Sequence, residues 1–436
     1  MLFRKPKYRC KAAEASLLFQ PSGEIFSCHY NRGYILGRYP ENSIQEIWNG
    51  KRRKELLKSI FNGNFDKGCF SCKTAIEQGL THGAGFNKYD YITLDKSGFP
   101  VSIEFQLDNI CNLECIMCSG EYSNQIRKNR EKGEAYISPY DDRFVNQLDN
   151  FIPNLKYAAF TGGEPFLFDI YYKIWDKIKI LNPNLNLYIS SNGTVLNDRV
   201  KSYLNELNFN LTISIDSLKK ENYERIRKNA ILEETLNNLE YFNNYLKEKQ
   251  KQLNVKCLVT HKNYKDLPDL INYCNDNLIN LLPKIVILPA FASIENLETE
   301  ELKNIIDLLN KNTQKQGGNI IAQNNSRFQE IIGQIKEIID RKRAITESSF
   351  EDLSNDILSD ILTENLLSQL KNESDEQKES YLQKINTVIN SIDIKQEQKK
   401  ALVGFLNVPP ELLIGEFHRS DIEKLVERFK QSGKNL

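Results

Sequence analysis

Three cysteines that follow one another closely constrain this chain more than any other feature of its sequence. They occur in the run Cys-Asn-Leu-Glu-Cys-Ile-Met-Cys, as Cys111, Cys115 and Cys118. Cysteine thiolates are the usual ligands of iron–sulfur clusters, and a cubane cluster has four irons to ligate. Three ligands leave one iron open, and an open iron can chelate a small molecule. The run therefore predicts a loop that holds a catalytic cluster rather than one that only transfers electrons.

The composition of the chain limits its partners and its compartment. The 436 residues allow two or three domains, and 58 basic against 58 acidic side chains give no net field that would predict a nucleic-acid partner. Nine cysteines without an apolar N-terminal segment indicate the reducing cytoplasm, and no apolar run approaches the roughly 20 residues of a membrane helix. Residues 1–75 hold 14 basic and 6 acidic side chains. We interpret this basic region as solvated surface, with contact to an acidic peptide or partner as the alternative.

Short apolar segments alternate with longer helical ones between residues 97 and 290. The strand-like segments are rich in β-branched and aromatic residues, and they are Val101–Leu107, Lys156–Phe160, Leu185–Ser190, Asn210–Ile215, Asn254–Thr260 and Lys284–Leu288. Segments with helical spacing lie between them, for example Phe168–Leu181, Leu196–Leu207 and Leu232–Glu248. This alternation predicts an α/β fold with a parallel sheet, with too few strands for a closed eight-stranded barrel. Functional groups in such folds lie at the carboxyl ends of the strands, where the cysteine run is expected.

The two flanking regions have different patterns. Residues 1–96 contain turn clusters, four cysteines and one predicted helix near Ser43–Asn62. Residues 291–436 contain no cysteine, and their apolar residues follow helical spacing. Within this C-terminal region, the polar stretch Asn372–Glu379 is a predicted linker. Pro409–Pro410 is expected to begin a helix because proline fits a first turn.

A second motif follows the second predicted strand and reads Phe160-Thr161-Gly162-Gly163-Glu164-Pro165. Together with the cysteine run, and in this order, it resembles the signature of the radical S-adenosylmethionine (radical SAM) enzymes. The resemblance implies that the three cysteines ligate a 4Fe–4S cluster and that the Gly-Gly-Glu-Pro segment holds the methionine part of SAM. It also implies a partial (β/α)6 barrel of the TIM type for residues 97–290. The alternative for the cysteines is a core position or a zinc site, although a structural zinc site uses four ligands.

The resemblance extends to residues that would contact SAM. Glu164 would accept hydrogen bonds from the SAM ammonium, Gly162 and Gly163 would let the backbone approach the ligand, and Pro165 would fix the turn. Three later segments resemble the family's turns after strands three and four and its Tyr-x-x-Ile-Arg stretch. The SAM contacts that these segments imply are Ser191, Asn192, Ser214, Asp216 and Arg227.

Some of these assignments have alternatives. Ser191, Asn192 and Asp216 are residues that favour turns in any protein. Arg227 competes with Arg225 for the contact with the SAM carboxylate. Ser217 departs from the glycine that the family carries at this position, which leaves the geometry of the turn open.

The four cysteines of the N-terminal region form a second set. They are Cys10, Cys28, Cys69 and Cys72, and their spacing resembles that of SPASM and the shorter Twitch domains. These domains bind auxiliary 4Fe–4S clusters in radical SAM enzymes, so the resemblance implies one fully ligated auxiliary cluster. In the family this domain usually follows the barrel, whereas here it precedes it. A four-cysteine zinc site is the alternative, because spacing alone rarely distinguishes the two kinds of site.

Three further residues are candidates for a direct role in catalysis. Cys257 and Cys274 are the two cysteines outside both sets, and in some similar peptide epimerases such a cysteine donates a hydrogen atom to the substrate radical. His261 follows the fifth predicted strand. The alternatives are two buried apolar thiols and a histidine that bonds locally.

The sequence therefore predicts an enzyme that reductively cleaves SAM to a 5′-deoxyadenosyl radical and abstracts a hydrogen atom from its substrate. The auxiliary domain favours a peptide or protein side chain as substrate, and an electron donor of the flavodoxin or ferredoxin type is expected. Residues 302–436, together with the basic N-terminal region, are predicted to frame a groove for the peptide. The alternative is that they cap the barrel or mediate self-association. Two alternatives stay open: tailoring of a sugar or nucleotide derivative, and a non-catalytic iron–sulfur or zinc protein that docks partners.

Overall fold

A computed structural model describes residues 10–77, 85–90, 92–94, 97–312, 315–346, 350, 353–370, 375–408 and 410–433. Its strands are β1 (Ser16–Phe19), β2 (Glu24–Phe26), β3 (Gly37–Arg38), β4 (Ser102–Phe105), β5 (Tyr157–Phe160), β6 (Asn186–Ser191), β7 (Phe209–Ser214), β8 (Asn254–Val259) and β9 (Asn280–Ile285). Short 3₁₀ turns are Gly85–Tyr89, Leu148–Asn150, Ile152–Asn154, Pro165–Leu167, Tyr264–Asp266, Ala290–Ala292 and Ile294–Asn296.

The α-helices connect these strands and make up the C-terminal region. Up to the last strand they are α1 (Ala12–Ala15), α2 (Ile44–Asn49), α3 (Lys51–Phe61), α4 (Phe70–Glu77), α5 (Asn124–Asn129), α6 (Asp142–Gln147), α7 (Asp169–Leu181), α8 (Asp198–Glu206), α9 (Lys220–Ile226), α10 (Leu232–Glu248) and α11 (Leu267–Asp276). After it come α12 (Thr299–Asn310), α13 (Asn319–Thr346), α14 (Asn355–Ser368), α15 (Asp375–Ile389), α16 (Lys395–Leu406), α17 (Pro410–Arg419) and α18 (Ile422–Gly433). Within the described residues, none of these helices is both long and apolar enough to span a bilayer.

The chain divides into two compact units. The first comprises residues 1–114, 119–213 and 238–251, and the second comprises residues 115–118, 214–237 and 252–436. Both contain parallel strands with helices between them, so the predicted α/β class with a helical C-terminal region is confirmed.

The first unit contains a sheet in the order β3-β2-β1-β4-β5-β6-β7. Strands β4 to β7 run parallel, as predicted for a barrel of β–α repeats. Strand β1 extends this sheet and pairs in parallel with β4, from Ser16 opposite Ser102 to Phe19 opposite Phe105. Because β2 and β3 follow in antiparallel pairing, the N-terminal region is built onto the barrel sheet rather than folded as a loop-rich neighbour.

The second unit contains the remaining parallel pair, β8 and β9. Strand β8 alternates between half-buried and buried residues, which places one face of the strand in the core. Strand β9 begins at Asn280, whereas the sequence predicted the segment Lys284–Leu288. Asn324 of α13 explains the earlier start, since its side chain accepts a hydrogen bond from Leu281 N–H and donates one to the Ile279 carbonyl.

Helices α14 to α18 surround an apolar core of their own, which includes Leu362, Phe405 and Phe429. Helix α15 begins at Asp375, so the prediction of a linker was wrong for residues 375–379, and residues 372–374 lie outside the described part of the chain. Helix α17 begins at Pro410, as the proline pair predicted, while Pro409 is not among the described residues.

The helix predicted near Ser43–Asn62 is two helices. Ser43 caps α2 in a capping box, accepting a bond from Glu46 N–H while the Glu46 carboxylate accepts one from Ser43 N–H. Gly50 then adopts an extended conformation between α2 and α3. A Cβ atom at this position would lie 2.8 Å from the Glu46 carbonyl oxygen, so glycine permits the sharp break.

Candidate active site

The Gly-Gly-Glu-Pro segment is bound directly to the backbone of the cysteine loop. Glu164 N–H donates a hydrogen bond of 2.8 Å to the carbonyl of Ile110, the residue before Cys111. A Cβ atom on Gly163 would lie 2.1 Å from the same carbonyl oxygen, and one on Gly162 would lie 2.9 Å from the Asp108 carbonyl oxygen. The glycines therefore let this segment approach the backbone of the cysteine loop. The sequence analysis had instead predicted that they let the backbone approach SAM.

The carboxylate of Glu164 is buried and satisfied by the neighbouring strand end. Its two oxygens accept hydrogen bonds from Ser191 Oγ at 2.9 and 3.0 Å, and from Asn192 N–H at 2.7 Å. Phe166 N–H donates a further bond of 3.2 Å. Burial raises the pKa of Glu164 to about 7, against the lowering effect of these donors. A cation placed beside this carboxylate would favour its charged form.

Asn192 connects this carboxylate to the first cysteine. Its Nδ2 donates a hydrogen bond of 2.9 Å to Asn112 Oδ1 and lies 3.9 Å from Cys111 Sγ. The structure therefore gathers Cys111, Glu164, Ser191 and Asn192 within the first unit. Asn112 was missed from the sequence, and its position between two predicted ligands was the available signal.

The second unit holds the other part of the cysteine loop with another pair of predicted site residues. Arg227 Nε lies 2.8 Å from Asp216 Oδ2, and both side chains are almost fully buried. Arg227 Nη1 also lies 3.8 Å from Cys115 Sγ, while Ile116 N–H donates a bond of 2.9 Å to the Ile226 carbonyl. Burial opposes the charged form of Arg227, yet the carboxylate of Asp216 holds the pKa of its guanidinium above its usual range. This pairing favours Arg227 over Arg225, whose Nη2 bonds Asn222 within its own helix.

The turn after Asp216 shows why serine serves at position 217. Ser217 Oγ donates a hydrogen bond of 2.7 Å to Asp266 Oδ2, an oxygen that also accepts a bond of 2.6 Å from Asn222. Asp266 Oδ1 forms an ion pair with Lys219 at 2.9 Å. The hydroxyl therefore fastens this turn to the 3₁₀ turn that contains Asp266, a contact that glycine could not make. Ser214, half-buried at the end of β7, precedes the turn.

The three candidates for direct catalysis differ in access. Cys257 and Cys274 are 1% and 0% exposed, and burial raises the pKa of both thiols. Cys257 Sγ lies 3.8 Å from the Asp216 carbonyl oxygen. His261 is half-buried, and burial lowers the pKa of its imidazole. The burial of both thiols favours their alternative role as small apolar core residues.

The four N-terminal cysteines converge on one cavity in the first unit. All four are between 7% and 9% exposed. The cavity that they line is completed by Tyr30, Asn31, Phe65, Gly85 and Phe86. A Cβ atom on Gly85 would lie 2.3 Å from the ring of Tyr30, so glycine closes this wall.

Two sulfurs of this site are met by an N–H donor. Ala12 N–H lies 3.4 Å from Cys10 Sγ and Asn31 Nδ2 lies 3.1 Å from Cys69 Sγ.

The thiols of this site are costly to ionise without a cationic centre. Burial raises the pKa of all four, that of Cys72 to about 11, and each thiolate repels its neighbours. Four convergent thiols, two of them with N–H donors at their sulfurs, fit an iron–sulfur cluster, whose potential such bonds tune. Among the described residues, no three His, Cys, Asp or Glu side chains form a group that could hold a single metal ion.

Comparisons with protein families match these two regions. Residues 106–274 match the Radical SAM superfamily, and residues 10–73 match the SPASM iron–sulfur cluster-binding domain. Among curated relatives, the uncharacterized protein MJ0907 of Methanocaldococcus jannaschii is 31% identical over 38% of this chain and 56% of its own length. The probable GTP 3′,8-cyclase of the same organism is 27% identical over 42% of this chain and 58% of its own length. This chain thus spans little more than half of these relatives.

Solved structures also resemble part of the chain. The structure "Native anSMEcpe with bound AdoMet" is 20% identical and has a TM-score of 0.36, and the match covers 48% of this chain and 60% of the chain in that structure. The S-adenosylmethionine complex of Streptococcus suis SuiB is 12% identical, covers 58% of this chain and 61% of its own, and has a TM-score of 0.36. The family matches confirm the predicted superfamily, the N-terminal place of the auxiliary domain, and 4Fe–4S clusters and SAM as cofactors. The chain therefore carries a Radical SAM superfamily domain preceded by a SPASM iron–sulfur domain.

Proposed function

We propose that this protein is an enzyme that reductively cleaves SAM at a cluster held by Cys111, Cys115 and Cys118. The observation that carries the proposal is the bond from Glu164 N–H to the Ile110 carbonyl, which joins the Gly-Gly-Glu-Pro segment to the cysteine loop. When bound, the cluster and SAM supply a 5′-deoxyadenosyl radical that abstracts a hydrogen atom. The protein supplies ligands, orientation and exclusion of water.

The residues around this site have distinct proposed roles. Glu164 accepts hydrogen bonds from the SAM ammonium, and Ser191 and Asn192 hold its carboxylate in place. Gly162, Gly163 and Pro165 shape the segment that presents Glu164. Around the other cysteines, Asp216 orients Arg227 beside Cys115, where a cation can receive the SAM carboxylate. Ser214 is proposed as a further contact to SAM.

The cleavage proposal is tested with protein reconstituted anaerobically with iron and sulfide. With dithionite, the wild-type chain is expected to release 5′-deoxyadenosine and methionine from SAM, measured by liquid chromatography. Cys115→Ala should abolish the product, whereas Cys274→Ala, which removes a buried thiol outside both cysteine sets, should retain it. Equal product from Cys115→Ala and the wild type would contradict the assignment.

We propose that the N-terminal cysteines hold one auxiliary 4Fe–4S cluster. The support is the single cavity lined by all four sulfurs and the N–H donors around it. A cluster with four protein ligands has no open iron, so its work is to relay electrons or to stabilise the N-terminal region. Clusters held by free thiolates favour the reducing cytoplasm as the compartment of this protein, and an electron donor of the flavodoxin or ferredoxin type would serve it.

The substrate that we propose is a peptide or protein side chain. The support is the SPASM match, together with the apolar helical core of α14–α18, against which Ile287 and Leu288 pack and which would frame a groove. The curated relatives named GTP 3′,8-cyclase favour a second candidate, a nucleotide derivative.

A truncation separates the two substrate classes. Because Asn324 of α13 satisfies the backbone around β9, a chain that ends after residue 346 keeps this contact and removes only α14–α18. Under the peptide proposal, the shortened enzyme still cleaves SAM but no longer modifies the peptide, as read by mass spectrometry. Unchanged peptide turnover would exclude the groove. Deoxyadenosine formation that depends on GTP rather than on a peptide would support the nucleotide candidate.

A further inference from the structure

Helix α3 carries an exposed basic stripe that the proposed reaction does not use. The helix has five basic side chains and one acidic one. Lys51, Lys54 and Lys58 are spaced three and four residues apart, which places them on one face, and all three are exposed. Within the described chain, Lys54 and Lys58 form no hydrogen bond or ion pair, and Lys51 lies 3.9 Å from Glu55.

The two arginines of the same helix are engaged with the protein. Arg53 Nε donates a hydrogen bond of 2.9 Å to the Ala13 carbonyl, and its guanidinium lies 3.3 Å from the ring centre of Trp48. Arg52 bonds the Ile35 carbonyl and lies over the ring of Tyr34. The arginines therefore fix the helix, and the three lysines are left for contacts with another molecule.

The stripe ends at a cleft that reaches the four-cysteine site. This cleft has a volume of about 250 Å³ and is lined by Cys10, Glu14, Leu57, Lys58, Ile60 and Phe61. Phe61 is 63% exposed, so the end of the helix is apolar as well as basic. Cys10 lines both this cleft and the inner cavity that the other three cysteines share. The cleft thus connects the surface of the protein to Cys10, one of the four cysteines of the site.

We propose that the lysine stripe and this cleft form the docking surface of an acidic one-electron carrier protein that reduces the auxiliary cluster from the side of Cys10. The inference rests on the proposed assignment of the four cysteines to that cluster. The carrier gives up one electron and the cluster takes it up, so no other reactant is needed. Exposed lysines, of which Lys54 and Lys58 have no acidic partner within the described chain, match an acidic surface. An apolar centre with a charged rim is the usual composition of an interface. An acidic peptide would match the charge equally well, but it has no need of a path to a cluster ligand.

The test measures binding of an acidic flavodoxin to the full-length, reconstituted protein under anaerobic conditions. The variants are the triple reversal Lys51→Glu, Lys54→Glu, Lys58→Glu, and the same positions changed to Gln. The matched control reverses three exposed lysines of the helical C-terminal region, Lys395, Lys400 and Lys430. The dissociation constant should rise about tenfold or more for the Glu variant at low salt, less for the Gln variant, and hardly at all for the control. High salt should remove most of the difference.

A second readout connects docking to the cluster. Flavodoxin hydroquinone should bleach the cluster absorbance more slowly in the Glu variant, whereas dithionite, which needs no docking surface, should reduce variant and wild type at equal rates. Equal loss of affinity in the control, or no loss in the Glu variant, overturns the proposal. Weakened binding of polyglutamate with unchanged reduction by flavodoxin also overturns it and identifies an acidic-peptide surface. Loss of the four-cysteine cluster itself in Cys10→Ala, read by iron content, tests the underlying assignment separately.

Discussion

The two cysteine sites of this protein differ in enclosure. The N-terminal site has four cysteines that are at most 9% exposed, all within one unit, with an N–H donor at the sulfurs of Cys10 and Cys69. The run of Cys111, Cys115 and Cys118 offers three thiols, of which Cys111 and Cys118 are half-buried. Metal centres with a structural or relay role are closed, whereas catalytic ones keep a position open. This difference in enclosure is the one expected between a site that relays electrons and a site at which a reaction takes place.

The first way to break this comparison is to remove two ligands of the closed site. The combined Cys69→Ala, Cys72→Ala variant should lose half of the iron, from about eight to about four per chain, because two cubanes hold eight irons. The three-cysteine site should keep its spectral change on addition of SAM. Iron and zinc are measured by plasma mass spectrometry, and the SAM response by electron paramagnetic resonance.

One zinc per chain with only four irons in the anaerobically purified wild type would show the closed site to be structural. The matched control for loss of thiols is Cys257→Ala, Cys274→Ala, which removes two buried cysteines that belong to neither site. This variant should retain all of the iron.

The second prediction concerns the ion pair beside the open site. Asp216→Asn leaves the buried guanidinium of Arg227 without its carboxylate, and breaking a buried pair in this way costs about 3–5 kcal/mol in the free energy of unfolding. Lys219→Met provides the control, since Lys219 is half exposed and its buried partner Asp266 keeps bonds from Ser217 and Asn222. An ion pair with a solvent-exposed lysine contributes less than about 1 kcal/mol. Denaturant unfolding of the reconstituted proteins measures both. A cost for Asp216→Asn no larger than that for Lys219→Met would mean that the pair does not hold Arg227.

Sequence patterns located five of the six barrel strands to within about two residues, because buried β-branched and aromatic runs are local features. They missed β1, whose residues Ser-Leu-Leu-Phe are buried throughout and show no alternation. Its partner β4 lies more than 80 residues away, and no local pattern encodes such a pairing. The shift of β9 has a similar cause, since a side chain of α13 sets its start.

The site was predictable in its ligands and less so in its connections. Cysteine spacing and the Gly-Gly-Glu-Pro motif indicated which residues to expect, because the chemistry of a cluster requires thiolates. The donor Asn31, the ion pair of Asp216 with Arg227 and the contact of Gly163 with Ile110 depend on tertiary proximity. The preference of aspartate for turns gave no reason to expect that Asp216 forms an ion pair with an arginine.

The third prediction tests the bond between the two motifs. Gly163→Ala places a methyl group against the Ile110 carbonyl, so backbone must move, and overpacking of this kind costs about 1–3 kcal/mol. The control is Gly333→Ala in α13, where a Cβ atom would meet nothing within 4 Å and alanine should stabilise the helix by about 0.5–1 kcal/mol. Unfolding measurements should therefore give opposite signs for the two substitutions. A shift of the SAM-dependent spectrum in Gly163→Ala alone would show that the contact also positions the open site.

The smallest expected effect is the pH dependence of SAM binding through Glu164. Its pKa of about 7 lies above the unfolded value of 4.5, so the contribution of this group to stability is present at low pH and is lost as the pH rises from 4.5 to 7. The SAM ammonium reverses this preference, because it attracts the carboxylate form.

Below pH 7, binding must therefore release a proton, and affinity should rise by up to about tenfold per pH unit. Above about pH 8 the ammonium loses its own proton, so affinity should peak between these values. Glu164→Gln should bind more weakly with no rise toward pH 7, while Glu46→Gln, which alters an exposed helix cap, should leave the profile unchanged. Isothermal titration in two buffers of different ionisation enthalpy counts the proton directly. A wild-type affinity that stays constant from pH 6 to 7, with no proton released, would contradict the contact between Glu164 and SAM. Glu164 would then only bind the end of the neighbouring strand, and other residues would bind SAM.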